Sequence, residues 1–335
     1  MIVIDGRHGE GGGQILRTAL TLSMLLGQPF EIHHIRGNRP KPGLKRQHLC
    51  CVLAAQRICG ANVIGATLDS DYLQFIPGEV KAGDYCFDVG SAGSTTLVFQ
   101  TILLPLLLAK KTSVVEFRGG THNPMAPPLT FIKRSFLPLL RQMGAEIDID
   151  TDSWGFMPAG GGCWRATVMP SSLHGIERLS RGELQHSVLT VYQVGLANKV
   201  AQRELASYCQ DNPVVVNEQR IRQPKASCPG NFMVHDLHFE HHRVCLTQLG
   251  QARVRAEKVA SLLKQDVQYY LNSEAVLDEY LTDQMMLPML IAGAGQFSCS
   301  KVSLHRTLHS TTNLSIIGLF TDNKLVLDEQ RLSHL

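Results

Sequence analysis

The chain has 335 residues, of which 44% are hydrophobic and 18% are charged, and its formal net charge at pH 7 is +3. This composition excludes a disordered chain, and the length predicts two domains or one domain built from repeats. The nine cysteines include no C-x-x-C pair and the N-terminus has no signal-peptide pattern. Both features favour a cytoplasmic location over a disulfide-stapled secreted fold.

The N-terminal stretch HGEGGGQILR, residues 8–17, places four glycines before an apolar helix that we expect to end at Gly27. Glycines in this position let backbone N–H groups approach an anion at the positive end of the helix dipole. The alternative is a tight strand-to-helix turn that binds nothing. Glu10 favours the phosphate site, because a carboxylate beside phosphates can hold a divalent cation.

Positive charge is concentrated in the next segment. No Asp or Glu occurs between Ile32 and Leu68, whereas the cations in that segment are Arg36, Arg39, Lys41, Lys45, Arg46 and Arg57. A segment whose charges are all positive suits an anionic partner, although a solvated helix face is the alternative. The prolines and glycines of IRGNRPKPGLKRQH, residues 35–48, predict a loop followed by a helix that begins at Gly43 or Leu44.

The most apolar run, Leu97 to Ala109, is interrupted by Gln100 and Pro105. It is shorter than the roughly 20 residues that a membrane-spanning helix needs. We therefore interpret it as a buried core helix and expect no membrane partner.

A weak internal repeat organises the chain. Residues 59–78 resemble 143–161, and 9–27 resemble 90–108, with Gly9 and Gly90 lying 81 residues apart. Each unit predicts a strand, a glycine loop, an apolar helix, a strand, a second helix and a pair of strands. Repeated α/β units of this kind bury their apolar faces against one another.

A third copy is predicted from its ends alone. CWRATVMP (163–170) is the candidate opening strand, DQMMLPMLIAGAGQFSCSKV (283–302) a helix and strand, and HSTTNLSIIGLF (309–320) the second helix. The intervening segment is more polar and carries its own strands and helices. We therefore expect an α/β protein with a large three-repeat domain, 1–181 and 276–335, and a small inserted domain, 182–275.

Two further stretches carry candidate ligand-binding groups. GGTHNPMAPPLTF (119–131) has three prolines, whose rings can form a flat wall for a base, although a simple turn is the alternative. EYLTDQMMLPM (279–289) puts Tyr280, Asp283 and Gln284 on one helix face. An aromatic ring with hydrogen-bonding groups beside it suits a nucleobase, whereas a half-exposed helix end needs no ligand.

HRTLHSTTN (305–313) offers two histidines. His309 precedes Ser310, a good N-cap, so we expect it near a positive helix end that lowers its pKa and keeps it a neutral nucleophile. A structural histidine is the alternative.

Two stretches resemble metal sites. HDLHFEHH (235–242) is followed by Cys245, but it alternates like a strand and so points neighbouring side chains to opposite faces. DIDTD (148–152) lacks the glycine and glutamate of an EF-hand loop, and an exposed strand edge is the better interpretation.

Together these stretches resemble the RNA 3'-terminal phosphate cyclases, in their ATP-dependent bacterial branch. The matching motifs run from end to end of the chain: DGRHGEGGGQILR (5–17), RPKPGLKRQH (39–48), GSAGST (90–95), GGTHNPMAPP (119–128), GFMPAGGG (155–162), YLTDQ (280–284), LIAGAG (290–295) and HSTTN (309–313). The resemblance implies three repeats of a four-stranded sheet with two helices, plus a small α/β domain inserted in the third repeat.

The resemblance also implies the reaction. A histidine attacks the α-phosphate of ATP and forms a covalent histidine–AMP, releasing pyrophosphate. AMP then passes to the 3'-phosphate of an RNA end, and the neighbouring 2'-hydroxyl expels it to leave a 2',3'-cyclic phosphodiester.

Carried over by position, the resemblance implies His309 as the nucleophile, with His305 as the competing candidate. The implied adenylate pocket is Gln100, Pro127, Pro128, Tyr280, Leu281, Thr282, Asp283 and Gln284. Arg17, Arg39 and Gln47 are implied to hold phosphates of ATP or of the RNA end. Glu10 is implied to serve a divalent Mg or Mn ion or the nucleotide. The chain departs from the family at Trp154, where a basic residue is common, and at Thr130, where an acid is usual.

Two other classes remain as alternatives. A non-catalytic relative that binds RNA keeps the fold but is expected to lack the histidine, so HSTTN argues against it. An enolpyruvyl transferase uses related repeated units on small anionic substrates and needs no nucleoside triphosphate.

Overall fold

The computed structural model describes residues 1–9, 11–210, 212, 214–300, 304–322, 324–328 and 330–334, and only the backbone of 304–308. Within these residues the fold is mixed α/β, with helices packed on four small four-stranded sheets. The helices are α1 (Gly13–Leu26), α2 (Arg46–Cys59), α3 (Thr95–Leu107), α4 (129–142), α5 (Asn198–Cys209), α6 (Ala256–Leu271), α7 (Glu279–Ala292) and α8 (Leu304–Phe320). No helix of the described residues is long and apolar enough to cross a membrane.

The first two sheets share one strand order. The first sheet contains β1 (Ile2–Asp5), β2 (Phe30–His33), β3 (Asn62–Ile64) and β4 (Leu73–Ile76), in the order β1-β2-β4-β3. The second contains β5 (Asp84–Asp88), β6 (Ser113–Gly119), β7 (Glu146–Ser153) and β8 (Gly162–Met169), in the order β5-β6-β8-β7. In each sheet the first strand in the chain pairs parallel with the second, and the other two pairings are antiparallel. The predicted element sequence of these two stretches is confirmed.

The other two sheets use the rest of the chain. One contains β9 (Glu177–Arg178), β14 (Gln296–Ser298), β15 (Leu325–Leu327) and β16 (Arg331–His334). The other contains β10 (Leu184–Val194), β11 (Glu218–Arg222), β12 (Gly230–Phe239) and β13 (Arg243–Leu249), in the order β11-β10-β12-β13. This last sheet packs with α5 and α6 around a separate apolar core that includes Leu189, Met233 and Leu263.

Three predicted boundaries are wrong. Residues 162–169 are the last strand of the second sheet, between β6 and β7, and do not open a third unit. The strand that opens the third sheet is β9, whose two residues are too few to show a pattern. Helix α2 begins at Arg46, because Gly43 has a φ of +79° and its N–H donates to the carbonyl of Ile35. Helix α8 begins at Leu304 and not after His309.

Helix α1 lies at the centre of the main core. Its apolar residues Ile15, Leu16, Ala19 and Leu20 are fully buried, and it packs against both α3 and α8. A helix buried on nearly every side brings its polar residues into contact with other parts of the chain. The N-terminal turn of α1 therefore reaches residues almost 300 positions away in sequence, such as His309.

Candidate active site

A cleft of about 810 Å³ opens where α1, α2, the proline loop (residues 123–128), α7 and α8 meet. One further wall comes from the fourth sheet and its helix α6, through residues such as Thr247, Gln248 and Tyr269. The sequence offered no signal for this wall, because its residues lie in strand and helix patterns that look structural. The cleft collects most of the residues for which ligand-binding roles were predicted.

The glycine stretch borders this cleft through Gly13 and approaches two helices closely. Gly9 has a φ of +54°, and a side chain there would collide with Thr312 of α8. A side chain at Gly13 would collide with the ring of His48 on α2. The close approach of the loop to both helices thus explains two of the glycines.

His309 lines the cleft from within α8, in the second turn of the helix. The prediction that Ser310 caps the helix behind it is therefore wrong, and so is the helix-end argument for the histidine's pKa. The motif HSTTN itself folds as helix because the apolar positions that follow it, such as Ile316 and Ile317, are buried against the core.

Hydrogen bonds connect His309 to two other helices of the site, α1 and α7. Nδ1 of His309 lies 2.9 Å from Oε1 of Gln14, and Nε2 of Gln14 donates to Oδ2 of Asp283 at 2.7 Å. Nδ2 of Asn313 lies 3.5 Å from Oδ1 of Asp283, and Oγ1 of Thr18 donates to Oδ1 of Asn313 at 2.7 Å. These contacts hold the imidazole in one orientation.

One end of the cleft is basic. Arg17, Arg36 and Arg39 line it, together with Gln47. The side-chain oxygen of Gln47 accepts a hydrogen bond from the backbone N–H of Ser94 at 2.7 Å, which fixes the amide at the start of α3. This end therefore carries three guanidinium groups and an amide, and Nη1 of Arg36 donates to the carbonyls of Lys41 and Gly43. Such a concentration of positive charge suits an anionic ligand.

His48 is a buried histidine beside the cations of this end. Burial, with further contributions from nearby cations led by Arg17 and Arg36, lowers its pKa to about 3. The histidine is consequently neutral at physiological pH, and the field that disfavours its protonation favours a bound phosphate.

Another part of the cleft lining is aromatic and proline-rich. Tyr280, 55% exposed, lines it together with Gln100, Pro127, Pro128 and Gln284. Partial burial, and the nearby Asp266 and Asp278 carboxylates, raise the pKa of the Tyr280 phenol to about 12. The carbonyl of Pro127 accepts a hydrogen bond from Oγ1 of Thr96 at 2.7 Å, which holds the proline loop in place.

Two residues of the predicted adenylate pocket point away from it. Leu281 and Thr282 are fully buried, and Oγ1 of Thr282 donates to the backbone carbonyl of Asp278. The helical spacing explains this result, because residues between Tyr280 and Asp283 face the opposite side of α7. Asp278 itself caps α7 by accepting from the N–H groups of Tyr280 and Leu281.

Two predicted residues fall where the structure gives no side-chain description. Glu10, the predicted metal ligand, lies outside the described residues. His305, the competing nucleophile, belongs to the part of α8 for which only the backbone is described.

Gln14, His48, Asn123 and Asn313 line the cleft without having been assigned a role from sequence. Gln14 and Asn313 stand inside two of the quoted motifs, HGEGGGQILR and HSTTN. Amides carry no charge or nucleophile that would distinguish them in a sequence, so only their contacts reveal them.

The histidine-rich stretch lies in β12 and the turn after it. His235 is fully buried and its Nδ1 lies 2.7 Å from the hydroxyl of Tyr208. The described residues contain no group of three or more His, Cys, Asp or Glu suited to a metal. The acids of DIDTD are exposed on β7, the edge strand of the second sheet, as predicted.

Comparison with known proteins gives one consistent result. A family model described as RNA 3'-terminal phosphate cyclase matches residues 8–327. Proteins of that name from Koribacter versatilis (strain Ellin345) and Ralstonia nicotianae (strain ATCC BAA-1114 / GMI1000) are each 44% identical over 332 residues. The alignments cover 98% of this chain and 92% and 94% of those relatives.

A solved structure, the enolpyruvyl transferase NikO from Streptomyces tendae, aligns with 51% of this chain and 33% of its own. Its identity is 14% and its TM-score 0.30, values too low to bear on fold or function.

Proposed function

Because the chain belongs to the RNA 3'-terminal phosphate cyclase family, we propose that it uses ATP to convert an RNA 3'-phosphate into a 2',3'-cyclic phosphodiester. Family membership identifies it as an enzyme that acts on RNA. The proposal adds the use of ATP, the covalent intermediate and the residues that carry each step.

Three displacements at phosphorus account for the reaction. A ring nitrogen of His309 attacks the α-phosphorus of ATP, forming an N–P bond as the bond to the β-phosphate breaks and pyrophosphate leaves. An oxygen of the RNA 3'-phosphate then attacks the adenylate, and the N–P bond breaks. Finally the 2'-hydroxyl loses its proton and attacks the 3'-phosphorus, so that AMP departs. The first two steps give the RNA 3'-phosphate a good leaving group, AMP, and the third step expels it.

The single observation that carries the proposal is the composition of the cleft. A histidine, a basic end with Arg17 and Arg39, and an aromatic side with Tyr280 all line one cavity of about 810 Å³. The guanidinium groups would bind the triphosphate and the RNA phosphate, and Tyr280 with Pro127 or Pro128 would enclose the adenine. A nucleotide is the ligand that needs both environments at once.

Asp283, Gln284 and Gln100 would bind polar atoms of the adenosine, since all three line the same cleft. Gln47, held by the N–H of Ser94, would donate its amide N–H to a phosphate. A Mg²⁺ or Mn²⁺ ion, which would neutralise phosphate charge when bound, is proposed to take Glu10 as its protein ligand together with phosphate oxygens. A cytoplasmic location follows from the same proposal.

The architecture fits three copies of one unit. The sheets that begin with β1, β5 and β9 each place their strands in the order first, second, fourth, third. The sheet of residues 184–249 has a different order, second, first, third, fourth. We infer that residues 182–275 are an insertion in the third copy, with 1–181 and 276–335 forming the large domain.

A product assay tests the proposal. The full chain is incubated with ATP, Mg²⁺ and a short RNA that ends in a 3'-phosphate, and the RNA end is then tested for resistance to phosphatase. A matched RNA with a 2'-O-methyl group on its last ribose should stop at the RNA-adenylate, because it lacks the final nucleophile. No phosphatase-resistant RNA with any divalent metal would contradict the proposal.

A further inference from the structure

Gln14 occupies the point where α1, α7 and α8 converge. Its side chain is buried, with 7% of the residue exposed, and the two ends of its amide have different partners. The oxygen lies 2.9 Å from Nδ1 of His309, and the nitrogen lies 2.7 Å from Oδ2 of Asp283. One side chain thus connects the histidine to a carboxylate on another helix.

The carboxylate fixes the direction of these hydrogen bonds. An ionised carboxylate accepts and cannot donate, so the NH₂ end of Gln14 must face Asp283. The carbonyl end therefore faces His309 and, having no hydrogen, can only accept. The hydrogen bond at 2.9 Å consequently requires that Nδ1 of His309 carries the proton.

A second amide has the same arrangement. Nδ2 of Asn313 approaches the other oxygen of Asp283, while Oδ1 of Asn313 accepts from the hydroxyl of Thr18 at 2.7 Å. Asp283 therefore orients two amides in the same sense, nitrogen toward the carboxylate and oxygen away from it. Reversing Gln14 would place its carbonyl against the carboxylate, which costs a hydrogen bond and adds repulsion.

We propose that Gln14, oriented by Asp283, is a positioning residue that holds His309 as its Nδ1–H tautomer and leaves Nε2 as the nitrogen that attacks ATP. This inference rests on the proposed function and adds to it the identity of the attacking nitrogen. A neutral imidazole has one lone pair available for attack, and the tautomer decides which nitrogen carries it. When the N–P bond forms at Nε2, Gln14 continues to accept from Nδ1–H, so it also stabilises the cationic adenylated ring.

Nuclear magnetic resonance of the full chain labelled with ¹⁵N-histidine reads the tautomer without any substrate. The His309 signals are assigned by their loss in His309→Asn. We expect Nδ1 to be protonated and Nε2 unprotonated in the wild-type enzyme, and we expect Gln14→Met to lose this preference. A wild-type spectrum with the proton on Nε2 would overturn the inference.

Single-turnover labelling with ATP labelled at the α-phosphate measures how the loss of Gln14 changes the rate of covalent adenylation. Gln14→Met should slow covalent labelling by about 10–100-fold, by analogy with the loss of a group that orients a metal-binding histidine. Ser23→Ala removes a part-buried hydrogen bond of the same helix, to the carbonyl of Gln28, and serves as the control that should change neither readout. A Gln14→Met enzyme that keeps both the tautomer and the rate would also overturn the inference.

A paired variant separates positioning from packing. Gln14→Glu places a second carboxylate against Asp283 and should be slow. Adding Asp283→Asn gives the new carboxylate an amide donor and leaves its second oxygen to accept from Nδ1–H, so the rate should partly recover. Both rates are measured at saturating ATP, so that a weaker adenosine contact at position 283 does not affect them. Recovery then supports the inference, and a double variant slower than Gln14→Glu contradicts it.

The two proposals fail differently. A wild-type enzyme with the expected tautomer but no covalent label would contradict the proposed function, because the tautomer is measured without ATP. A labelled enzyme with the proton on Nε2 would retain the proposed function and eliminate the role of Gln14.

Discussion

The imidazole of His122 lies parallel to the indole of Trp154, with ring centroids 3.9 Å apart and an angle of 12° between the rings. Nε2 of the same histidine lies 2.8 Å from Oγ1 of Thr130. Trp154 and Thr130 therefore contact one buried histidine. Phe232, from the fourth sheet, packs edge-on against it, so the cluster joins the proline loop to that sheet.

This stacking should be measurable as a coupling energy. We expect Trp154→Ala to lower the free energy of unfolding by about 2–4 kcal/mol, since it removes a large, partly buried ring. A double-mutant cycle with His122→Ala should give a coupling of about 0.5–1.5 kcal/mol, typical of an aromatic pair. Urea unfolding of the four proteins supplies the energies, and additive single effects would show that the rings do not interact.

Buried neutral histidines should make stability depend on pH. Burial lowers the pKa of His48 to about 3, that of His235 to about 4 and that of His242 to about 3. His122 follows the same direction, mainly through burial. These rings stay neutral in the folded chain but take up protons near pH 6.5 when it unfolds, so stability is complete above pH 6.5 and falls as the pH decreases.

Glu204 opposes this trend. Burial raises the pKa of the Glu204 carboxyl to about 7. The stability that this carboxyl contributes is therefore lost as the pH rises from the pKa of the unfolded state through 7. As the pH decreases, the four histidines lower the stability and the one carboxyl raises it. We therefore expect a net decrease in the free energy of unfolding from pH 7.5 to pH 5.5. His242→Asn should reduce that loss by about 1.4 kcal/mol over these two pH units, because its ring takes up a proton only in the unfolded chain. An unfolding free energy that is constant or rises toward pH 5.5 would contradict this assignment.

The sequence predicted local elements well and their edges poorly. Helical spacing predicted the buried helix that contains Leu97, and alternation predicted the exposed acids of β7. Both patterns arise because one face of the element packs against the core. The start of α8 was missed, because polar residues of HSTTN turn inward toward other polar groups, such as Asn313 toward Thr18. Such contacts span nearly the whole chain and leave no local pattern.

The residues of the candidate site were likewise only partly predicted from the sequence. Charged and aromatic residues such as Arg17, Arg39 and Tyr280 were found from sequence, and the cleft brings them together. Leu281 and Thr282 were included only because they lie between two lining residues, and they face the core. The amide of Gln14 and the wall from β13 could be recognised only from three-dimensional contacts.

The basic end of the cleft should be required for reaction with ATP. Arg39→Ala should reduce the rate of covalent labelling by about 10²–10³-fold, comparable with the loss of one donor to a developing charge. Arg57→Ala is the matched control from the same basic segment, since its guanidinium lies beside the rings of Tyr85 and Phe87, outside this cleft. Equal losses in both variants would indicate a general charge effect and contradict a specific phosphate site.

Tyr280 should act through its ring. Tyr280→Ala should raise the KM for ATP by an amount equivalent to about 1–3 kcal/mol, the usual value of stacking between a base and an aromatic side chain. Tyr280→Phe keeps the ring and should stay close to wild type in a labelling assay over a range of ATP concentrations. If the phenylalanine variant is as impaired as the alanine variant, the hydroxyl and not the ring makes the essential contact.

Covalent labelling tests the central claim most directly. The wild-type chain, His309→Ala and His305→Ala are each mixed with a divalent metal and ATP radiolabelled at the α-phosphate, then denatured. We expect label that is acid-labile and alkali-resistant in the wild type and in His305→Ala, as for a phosphoramidate, and none in His309→Ala. Label that persists in His309→Ala, or a wild type that never becomes labelled, would contradict the account.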